Sequence, residues 1–366
     1  MSEAKERTFL VGIFGDNFEY RKLLGQALGA PGTSSDIQFY NRLDSQLGEV
    51  FTALTPIDYP DKLKPFIQTL ILTNIHILII DVEAGLNASV GETLVGLDLF
   101  HRISTTKVLI MLNGISSNSE WKLLQIKEKI KSLLSNTSLK GIDIFEIRQK
   151  DDYNLVKKKI VDLGLEILKA DIKKSEYTKI LIDHAFSVKG IGTVILGIVK
   201  KGSVNTNQML ELTGNGTVAK KVIIRGIQKH DRDFKEAHEG DRVGLALKGN
   251  ISVSEISRDN LITTQGIFKG EKDIRAKVYI NKFYQPKKGV ISAKDSIQYH
   301  GIVEIKSSPL KIIAGDELKP GNSGILTLRF DKPLFHNGSG LRGILCDLNR
   351  FENKLRIIGH FEQLLN

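Results

Sequence analysis

The sequence has little cysteine and no long apolar run. Cys346 is the single cysteine among 366 residues, which excludes an intrachain disulfide and any multi-cysteine zinc or iron–sulfur site and indicates a reducing, cytoplasmic compartment. The most apolar stretches, 75–81 and 193–199, are bounded by charge and are far shorter than a membrane span. The start lacks the apolar segment of a secretory signal. We therefore expect a cytoplasmic protein with no membrane partner, and the scattered histidines predict no metal site.

Length and charge narrow the class further. A chain of 366 residues is too long for one ordinary core, so two or three domains are expected. Apolar residues make up 41% and charged residues 26%, a balance that excludes wholesale disorder. With 52 Lys and Arg against 42 Asp and Glu, the formal net charge is +10. Such an excess is typical of a partner rich in phosphate, although a lysine-rich proteome would also produce it.

The first 170 residues alternate between short buried-strand patterns and helical patterns. The strand patterns are β-branched and nearly continuous, at 8–14, 76–81, 107–112 and 142–147. The last helical pattern places four apolar side chains on one face, namely Val156, Ile160, Leu163 and Ile167. Strands alternating with helices predict a doubly wound α/β domain with a parallel sheet.

Beyond residue 170 the pattern changes to short alternating runs separated by glycines. Glycine supplies the positive φ of hairpin turns and the bends of small barrels, so this region is predicted to be all β. A polar break at 263–273 divides it into two similar lengths. We predict an α/β domain over 1–172 and two β-barrels over 173–266 and 267–366.

The most specific motif lies in the predicted second domain. Residues 183–202 contain a phenylalanine followed by Gly-Ile-Gly-Thr-Val and Gly-Ile-Val, and residues 238–249 contain Gly-Asp-Arg-Val-Gly. This pattern closely resembles the second domain of the translational GTPases. The rest of the chain resembles elongation factor Tu and, more closely, the selenocysteine-specific factor SelB and its archaeal paralogues. The resemblance implies a degenerate P-loop GTPase-like domain followed by two barrels, and suggests an archaeal source.

The phosphate-binding motif of that family is broken in this sequence. A P-loop needs Gly-x-x-x-x-Gly-Lys-Ser/Thr directly after the first strand, so that backbone N–H groups, a lysine and a hydroxyl surround the phosphates and Mg²⁺. Gly15 keeps the first position, but Tyr20 replaces the second glycine and Lys22 stands where the hydroxyl belongs. Asp16 adds negative charge beside an incoming phosphate.

Two further nucleotide motifs are also altered. The family's Asp-x-x-Gly segment reads Asp58-Tyr-Pro-Asp61, so the glycine whose N–H contacts the γ-phosphate is absent. The base-reading Asn/Thr-Lys-x-Asp segment reads Asn113-Gly-Ile-Ser116, and Ser116 cannot offer the carboxylate that pairs with guanine. Because each loss costs a few kcal/mol of binding, we expect GTP to be neither bound tightly nor hydrolysed, with no cofactor and no catalytic residue.

An opposing interpretation keeps the first domain active. Arg21 and Lys22 could replace the P-loop lysine, since cations at a helix start can hold phosphate. The chain would then be a slow GTP-binding factor of SelB type that delivers a specialised aminoacyl-tRNA and uses GTP, GDP and Mg²⁺. The same two residues could equally form a solvated helix face.

The barrels keep the resemblance best, so we expect them to bind RNA. Cations interleaved with aromatics, such as Phe283 and Tyr284, can contact phosphates and stack on bases. The candidate RNA-binding cations are Lys189, Arg242, Lys248, Lys282, Lys287 and Lys288. The favoured hypothesis is a translation elongation factor-like monomer that binds tRNA or the ribosome, but not DNA, without nucleotide timing. A scaffold whose barrels bind only proteins is the remaining alternative.

Overall fold

The computed structural model describes residues 6–44, 46–170, 175–214, 219–295, 297–350 and 354–365. The described residues up to 170 form one compact unit, and those of 175–350 and 355–365 form a second. The predicted boundary at 172/173 lies outside the described residues. In the described part of the chain, no helix is long and apolar enough to cross a membrane.

The first unit is a seven-stranded sheet with helices. Its strands are β1 (Arg7–Phe14), β2 (Ala30–Ser34), β3 (Ile37–Asp44), β4 (Glu49–Pro56), β5 (Ile75–Asp81), β6 (Lys107–Asn113) and β7 (Ile144–Glu146). Its helices are α1 (Phe18–Leu28), α2 (Leu63–Leu72), α3 (Ala88–Ile103), α4 (Glu120–Leu134) and α5 (Asp152–Ala170). The strand order is β2-β3-β4-β1-β5-β6-β7. The predicted α/β domain is confirmed, and all four predicted strands are present.

The helices cover the sheet through apolar faces. On α5, Val156 and Ile160 are fully buried and pack with Phe9 and Phe51 of the sheet, as the spacing predicts. Helix α1 buries positions 21, 24, 25 and 28, which share one face at the helical repeat. Helices α1 and α5 pack together, as do α2 and α3. This arrangement makes the sheet doubly wound.

The prediction of a wholly parallel sheet is wrong at one edge. Strands β4, β1, β5, β6 and β7 are parallel, but β3 runs antiparallel to both β2 and β4. The reason is the length of the connections. Only residues 35–36 join β2 to β3 and 45–48 join β3 to β4, and a parallel crossover needs a dozen residues or more.

The second unit begins with a six-stranded barrel that closes in the order β11-β16-β8-β9-β15-β12, since β12 also pairs with β11. The strands of this region are β8 (Lys179–Val188), β9 (Gly192–Lys201), β10 (Ser203–Asn205), β11 (Met209–Thr213), β12 (Lys220–Lys229), β13 (Arg232–Phe234), β14 (Glu236–His238), β15 (Arg242–Lys248) and β16 (Leu261–Thr263). A short 3-10 helix spans Val253–Glu255. Inward-facing Ile, Val and Leu side chains fill the barrel.

A second closed barrel follows, in the order β17-β20-β19-β18-β21-β22. Its strands are β17 (Lys269–Ile280), β18 (Tyr299–Val303), β19 (Lys306–Gly315), β20 (Ser323–His336), β21 (Arg342–Cys346) and β22 (Ile357–Gln363). The predicted polar break at 263–273 is too long, because β17 already begins at Lys269. Residues 269–273 are exposed yet pair with β20, and backbone pairing does not require apolar side chains. The two predicted barrels are confirmed.

Candidate functional site

The carboxyl ends of the parallel strands bring the three altered motifs to one edge of the sheet. In an open α/β sheet this edge is where ligands bind. Gly15 follows β1 directly, and α1 begins at Phe18, so only residues 15–17 separate strand from helix. Five of the eight positions aligned with the P-loop, 18–22, are therefore helical. Only residues 15–17 are left outside the helix to form a loop around phosphates.

The helix start is capped by the protein's own side chain. Asn17 Oδ1 accepts hydrogen bonds from the N–H groups of Glu19 (3.1 Å) and Tyr20 (3.3 Å). These are N–H groups of the first helical turn, the kind that hold a phosphate in anion-binding helix termini. Asn17 Nδ2 also donates to Asp81 Oδ2 at 3.0 Å. Sequence reasoning missed Asn17, although asparagine before a helical pattern is a recognised N-cap signal.

Acidic and phenolic groups surround this cap. Asp81 lies at the end of β5, where its Oδ1 accepts from the Glu83 N–H at 2.9 Å. A Cβ built on Gly114 would meet Asp81 Oδ1 at 2.7 Å and the Tyr20 hydroxyl at 2.9 Å, so both groups lie against that glycine. Burial, then the nearby charge of Asp81, raises the pKa of Tyr20. Asp16 is bonded to Asn87, the N-cap of α3.

The two cations at 21 and 22 point in different directions. Arg21 is 1% exposed, and its guanidinium donates to the carbonyls of Pro56 (2.7 Å) and Tyr59 (3.2 Å). Burial lowers its pKa to about 10. Lys22 is on the outside of α1, 3.6 Å from Glu19. The structure thus does not bring the two cations together toward a common phosphate.

The Asp-x-x-Gly counterpart forms a turn that leads into α2. Asp58 lies 2.7 Å from the Lys62 ammonium, and its backbone oxygen accepts from the Lys62 N–H at 2.7 Å. Asp61 is exposed in the same turn. Between them Tyr59 is buried and stacks on Phe66, with ring centroids 4.5 Å apart. The buried Tyr59 ring therefore anchors this segment against α2.

The base-reading counterpart is also engaged within the protein. Asn113 is buried at the end of β6, and its Nδ2 donates to the Tyr153 hydroxyl at 3.2 Å. The Ser116 hydroxyl donates to Glu83 Oε1 at 3.1 Å, and the Ser116 N–H donates to the Ser119 hydroxyl at 2.8 Å. Residue 116 is a serine, so it offers no carboxylate to a guanine base. The side chains of Asn113 and Ser116, like the Asn17 cap, are thus engaged in hydrogen bonds within the protein.

Exposed cations gather at one end of the first barrel. Lys189 lies in the turn between β8 and β9, and Lys248 ends β15 beside that turn, since Leu247 pairs with Thr193. Arg225 Nη1 donates to the Ile191 carbonyl of the same turn at 3.3 Å. We call these three cations, Lys189, Arg225 and Lys248, the basic tip. Within the described residues no carboxylate lies within 4.0 Å of any of them.

The basic tip is only partly visible in the sequence. Lys189 and Lys248 are 59 positions apart, and Arg225 was not among the predicted candidates. The signal that could have found it is the outward position of Arg225 on a strand that pairs with the end of β15. Barrel closure, rather than any local motif, brings the three together.

Arg242 is placed differently from the other candidates. Its Nε donates to Asp183 Oδ2 at 3.1 Å, and the two side chains are 13% and 2% exposed. The Arg258 Nε donates to the backbone oxygen of the same aspartate at 3.0 Å. Arg242 is thus held in the wall of the barrel by a buried ion pair.

The cluster at 282–288 divides into exposed and buried members. The Lys282 ammonium lies 4.9 Å from the ring centroid of the exposed Phe283, and Lys287 is exposed. Lys288 is bound to the buried carboxylate of Asp295 at 3.1 Å. The expectation that Tyr284 stacks on a base is wrong, because this ring is 2% exposed and belongs to the core of the second barrel.

The described residues contain no group of three or more His, Cys, Asp or Glu that could hold a metal ion. An α/β sheet with a GTPase-like edge, followed by two closed six-stranded barrels, defines the class of three-domain translation factors. Residues 192–256 match the family model for elongation factor Tu domain 2.

Known proteins give the same result. An uncharacterized protein of Methanocaldococcus jannaschii is 34% identical over 297 residues, which cover 81% of this chain and 83% of that protein. The selenocysteine-specific elongation factor of the same organism is 29% identical over 308 residues, 78% of this chain and 62% of that factor. The crystal structure of SelB from Methanococcus maripaludis in complex with the GTP analogue GppNHp matches with a TM-score of 0.80 at 22% identity, covering 100% of this chain and 80% of that one. The chain belongs to the translational GTPase family of elongation factor Tu and SelB.

Proposed function

We propose that this chain is a translation factor-like protein that binds tRNA or the ribosome through its barrels and does not use GTP as a timer. The observation that carries the proposal is the Asn17 cap, which takes up the N–H groups of the α1 terminus. The match of residues 192–256 to elongation factor Tu domain 2 and the basic tip support an RNA partner. We expect the protein to act in the cytoplasm, where these partners are found.

The electrostatics of the sheet edge support the loss of nucleotide binding. A nucleoside triphosphate brings several negative charges, and the carboxylates of Asp16, Asp81 and Glu83 lie around the place where it would sit. The buried cation Arg21 is directed at backbone carbonyls instead. Desolvating phosphate beside carboxylates without a compensating cation is strongly unfavourable.

The basic tip supports binding to a phosphate backbone. The three cations of the basic tip are exposed and face no described carboxylate. Phosphates can therefore contact them without breaking an ion pair, so the electrostatic cost of replacing water is small. Such contacts release counterions and give an affinity that depends steeply on salt. The formal net charge of +10 adds long-range attraction to RNA.

Calorimetric titration with GTP and with GDP, each with and without Mg²⁺, tests the first half of the proposal. We expect no saturable heat at nucleotide concentrations of about 1 mM, a limit that corresponds to less than about 4 kcal/mol of binding. A micromolar affinity that requires Mg²⁺ would instead support a SelB-type GTPase that delivers a specialised aminoacyl-tRNA.

Filter binding of tRNA and co-sedimentation with ribosomes across a salt series test the second half. We expect association at low salt that falls steeply as salt increases. The proposal fails if neither RNA nor ribosomes associate with the chain at low salt while protein partners stay bound after nuclease treatment. In that case the chain is a protein scaffold.

A further inference from the structure

The buried side chain of Arg21 binds the segment that follows β4. Arg21 of α1 is 1% exposed, and its guanidinium donates to three carbonyls of residues 56–59. Nη1 reaches the Pro56 oxygen at 2.7 Å, while Nη2 reaches those of Ile57 (3.4 Å) and Tyr59 (3.2 Å). A planar group with five donors in a fixed fork is suited to several acceptors at once, and a lysine ammonium is not. The carbonyls are thus fixed relative to α1.

The same segment is anchored to α3 at its other side. The Tyr59 hydroxyl donates to the Ser89 carbonyl at 3.0 Å and lies 2.8 Å from the Thr93 hydroxyl. Its ring stacks on Phe66 of α2. Tyr59 therefore joins the segment to the first turns of both following helices.

A third contact closes the circuit. Asn87, the N-cap of α3, donates to Asp16 in the loop between β1 and α1. Hydrogen bonds then run from α1 through segment 56–59 to α3, and from α3 back to the loop that begins α1. Every link is a contact within the first unit.

The charge of Arg21 survives burial at physiological pH. Desolvation lowers the pKa of the guanidinium to about 10, while nearby Tyr59 and Asp16 oppose that shift. The group is thus still cationic near pH 7, and three carbonyls share its charge. Charge-assisted hydrogen bonds of this kind are stronger than neutral ones.

We propose that Arg21 is an internal ligand that fixes segment 56–59 in one conformation, so that this part of the domain is ordered without any nucleotide. The inference goes beyond the proposed function, because it concerns only the first unit and holds whether or not the barrels bind RNA. It makes the segment a permanently closed element rather than a switch.

Hydrogen–deuterium exchange of the full-length protein tests the proposal through the backbone N–H groups of residues 57–62, where Pro60 has none. Two of them have defined partners, the Asp36 carbonyl for Ile57 and the Asp58 carbonyl for Lys62. In Arg21→Met we expect exchange in this segment to accelerate about tenfold or more, since the loss of charge-assisted bonds costs about 1.5–3 kcal/mol. Strand β6 and helix α5 should exchange at wild-type rates. The matched control is Lys22→Met, which changes the neighbouring exposed cation and should leave the segment within about twofold of wild type.

Three results would overturn the proposal. The first is wild-type exchange of 57–62 in Arg21→Met, and the second is an equal acceleration in Lys22→Met. If Arg21→Met opens the whole unit, Arg21→Lys decides, because it keeps the charge but cannot reach three carbonyls. We expect its acceleration to be confined to 57–62, and acceleration throughout the unit is the third overturning result. Addition of GTP and Mg²⁺ separates the test of this proposal from the test of the proposed function. Slower exchange at 57–62 with nucleotide would contradict the proposed function, and the Arg21 comparison without nucleotide would still stand.

Discussion

Neutralising the basic tip gives the sharpest test of RNA binding. The perturbation is the triple variant Lys189→Gln, Arg225→Gln and Lys248→Gln. All three side chains are exposed and face no described carboxylate, so their removal breaks no ion pair within the described chain. The Arg225 bond to the Ile191 carbonyl is an exposed contact, and an exposed substitution of this kind changes stability by about 0.5 kcal/mol or less. A change in RNA affinity then reflects binding rather than folding.

The expected magnitude follows from counterion release. Each phosphate contact contributes about 0.9 to the slope of log affinity against log salt, so loss of three contacts lowers the slope by about 2.7. Between 50 and 200 mM salt, the wild type should lose roughly 40-fold more affinity than the variant, a factor that follows from the same slope. The assay is filter binding of one tRNA at four or more salt concentrations.

The control separates the site from the net charge. Lys129, Lys131 and Lys140 are exposed in the first unit, and their triple replacement by glutamine removes the same three charges from the net +10. We expect the control slope to stay within about 0.5 of the wild-type slope, because only cations that contact phosphates release counterions. If both triple variants lower the slope equally, the basic tip is not the RNA site.

Two further predictions concern stability. Lys306 is buried and donates to the Gly214 carbonyl (2.8 Å) and the Pro333 carbonyl (2.9 Å). Lys306→Met should therefore cost about 2–5 kcal/mol in urea unfolding followed by circular dichroism, and a loss near zero would refute this role. A hydrogen bond from Lys127, opposed by partial burial, lowers the pKa of Glu146 from its ordinary 4.5. Its carboxylate thus stabilises the folded state above that pH, and this stability is lost as the pH falls through the lowered value. Glu146→Gln should make unfolding less pH-dependent between about pH 5 and 3, and an unchanged acid profile would contradict it.

Local sequence patterns predicted the fold correctly where the hydrophobic periodicity of an element matches its burial. The face of α5 at 156, 160, 163 and 167 is buried as the spacing predicts, and the glycine pattern of 183–202 leads to the barrel family that the comparison supports. Strand β4 is different. It was not predicted although all its residues are buried, because threonines interrupt its apolar run and a central strand owes its position to its neighbours.

The direction of the Arg21 side chain could have been predicted from the sequence, but its partners could not. Adjacent helical residues are rotated by about 100°, so Arg21 and Lys22 cannot share a face. Position 21 is spaced by three and seven from Leu24 and Leu28, both buried, which places the arginine on the apolar face of α1. What no periodicity could supply is its partner, since the carbonyls of 56–59 are 35 or more positions away.

The altered motifs are replaced rather than merely lost. If a nucleotide site had only eroded, the N–H groups of the α1 terminus would be left to solvent and the carbonyls of segment 56–59 would lose their partner, at about 1–3 kcal/mol for each buried group. In this structure Asn17 accepts from the former and Arg21 donates to the latter. A phosphate at this place would first have to displace the Asn17 side-chain carbonyl from the helix terminus. If the proposed loss of nucleotide binding holds, a variant that restored phosphate binding would have to remove Asn17 as well as rebuild the loop.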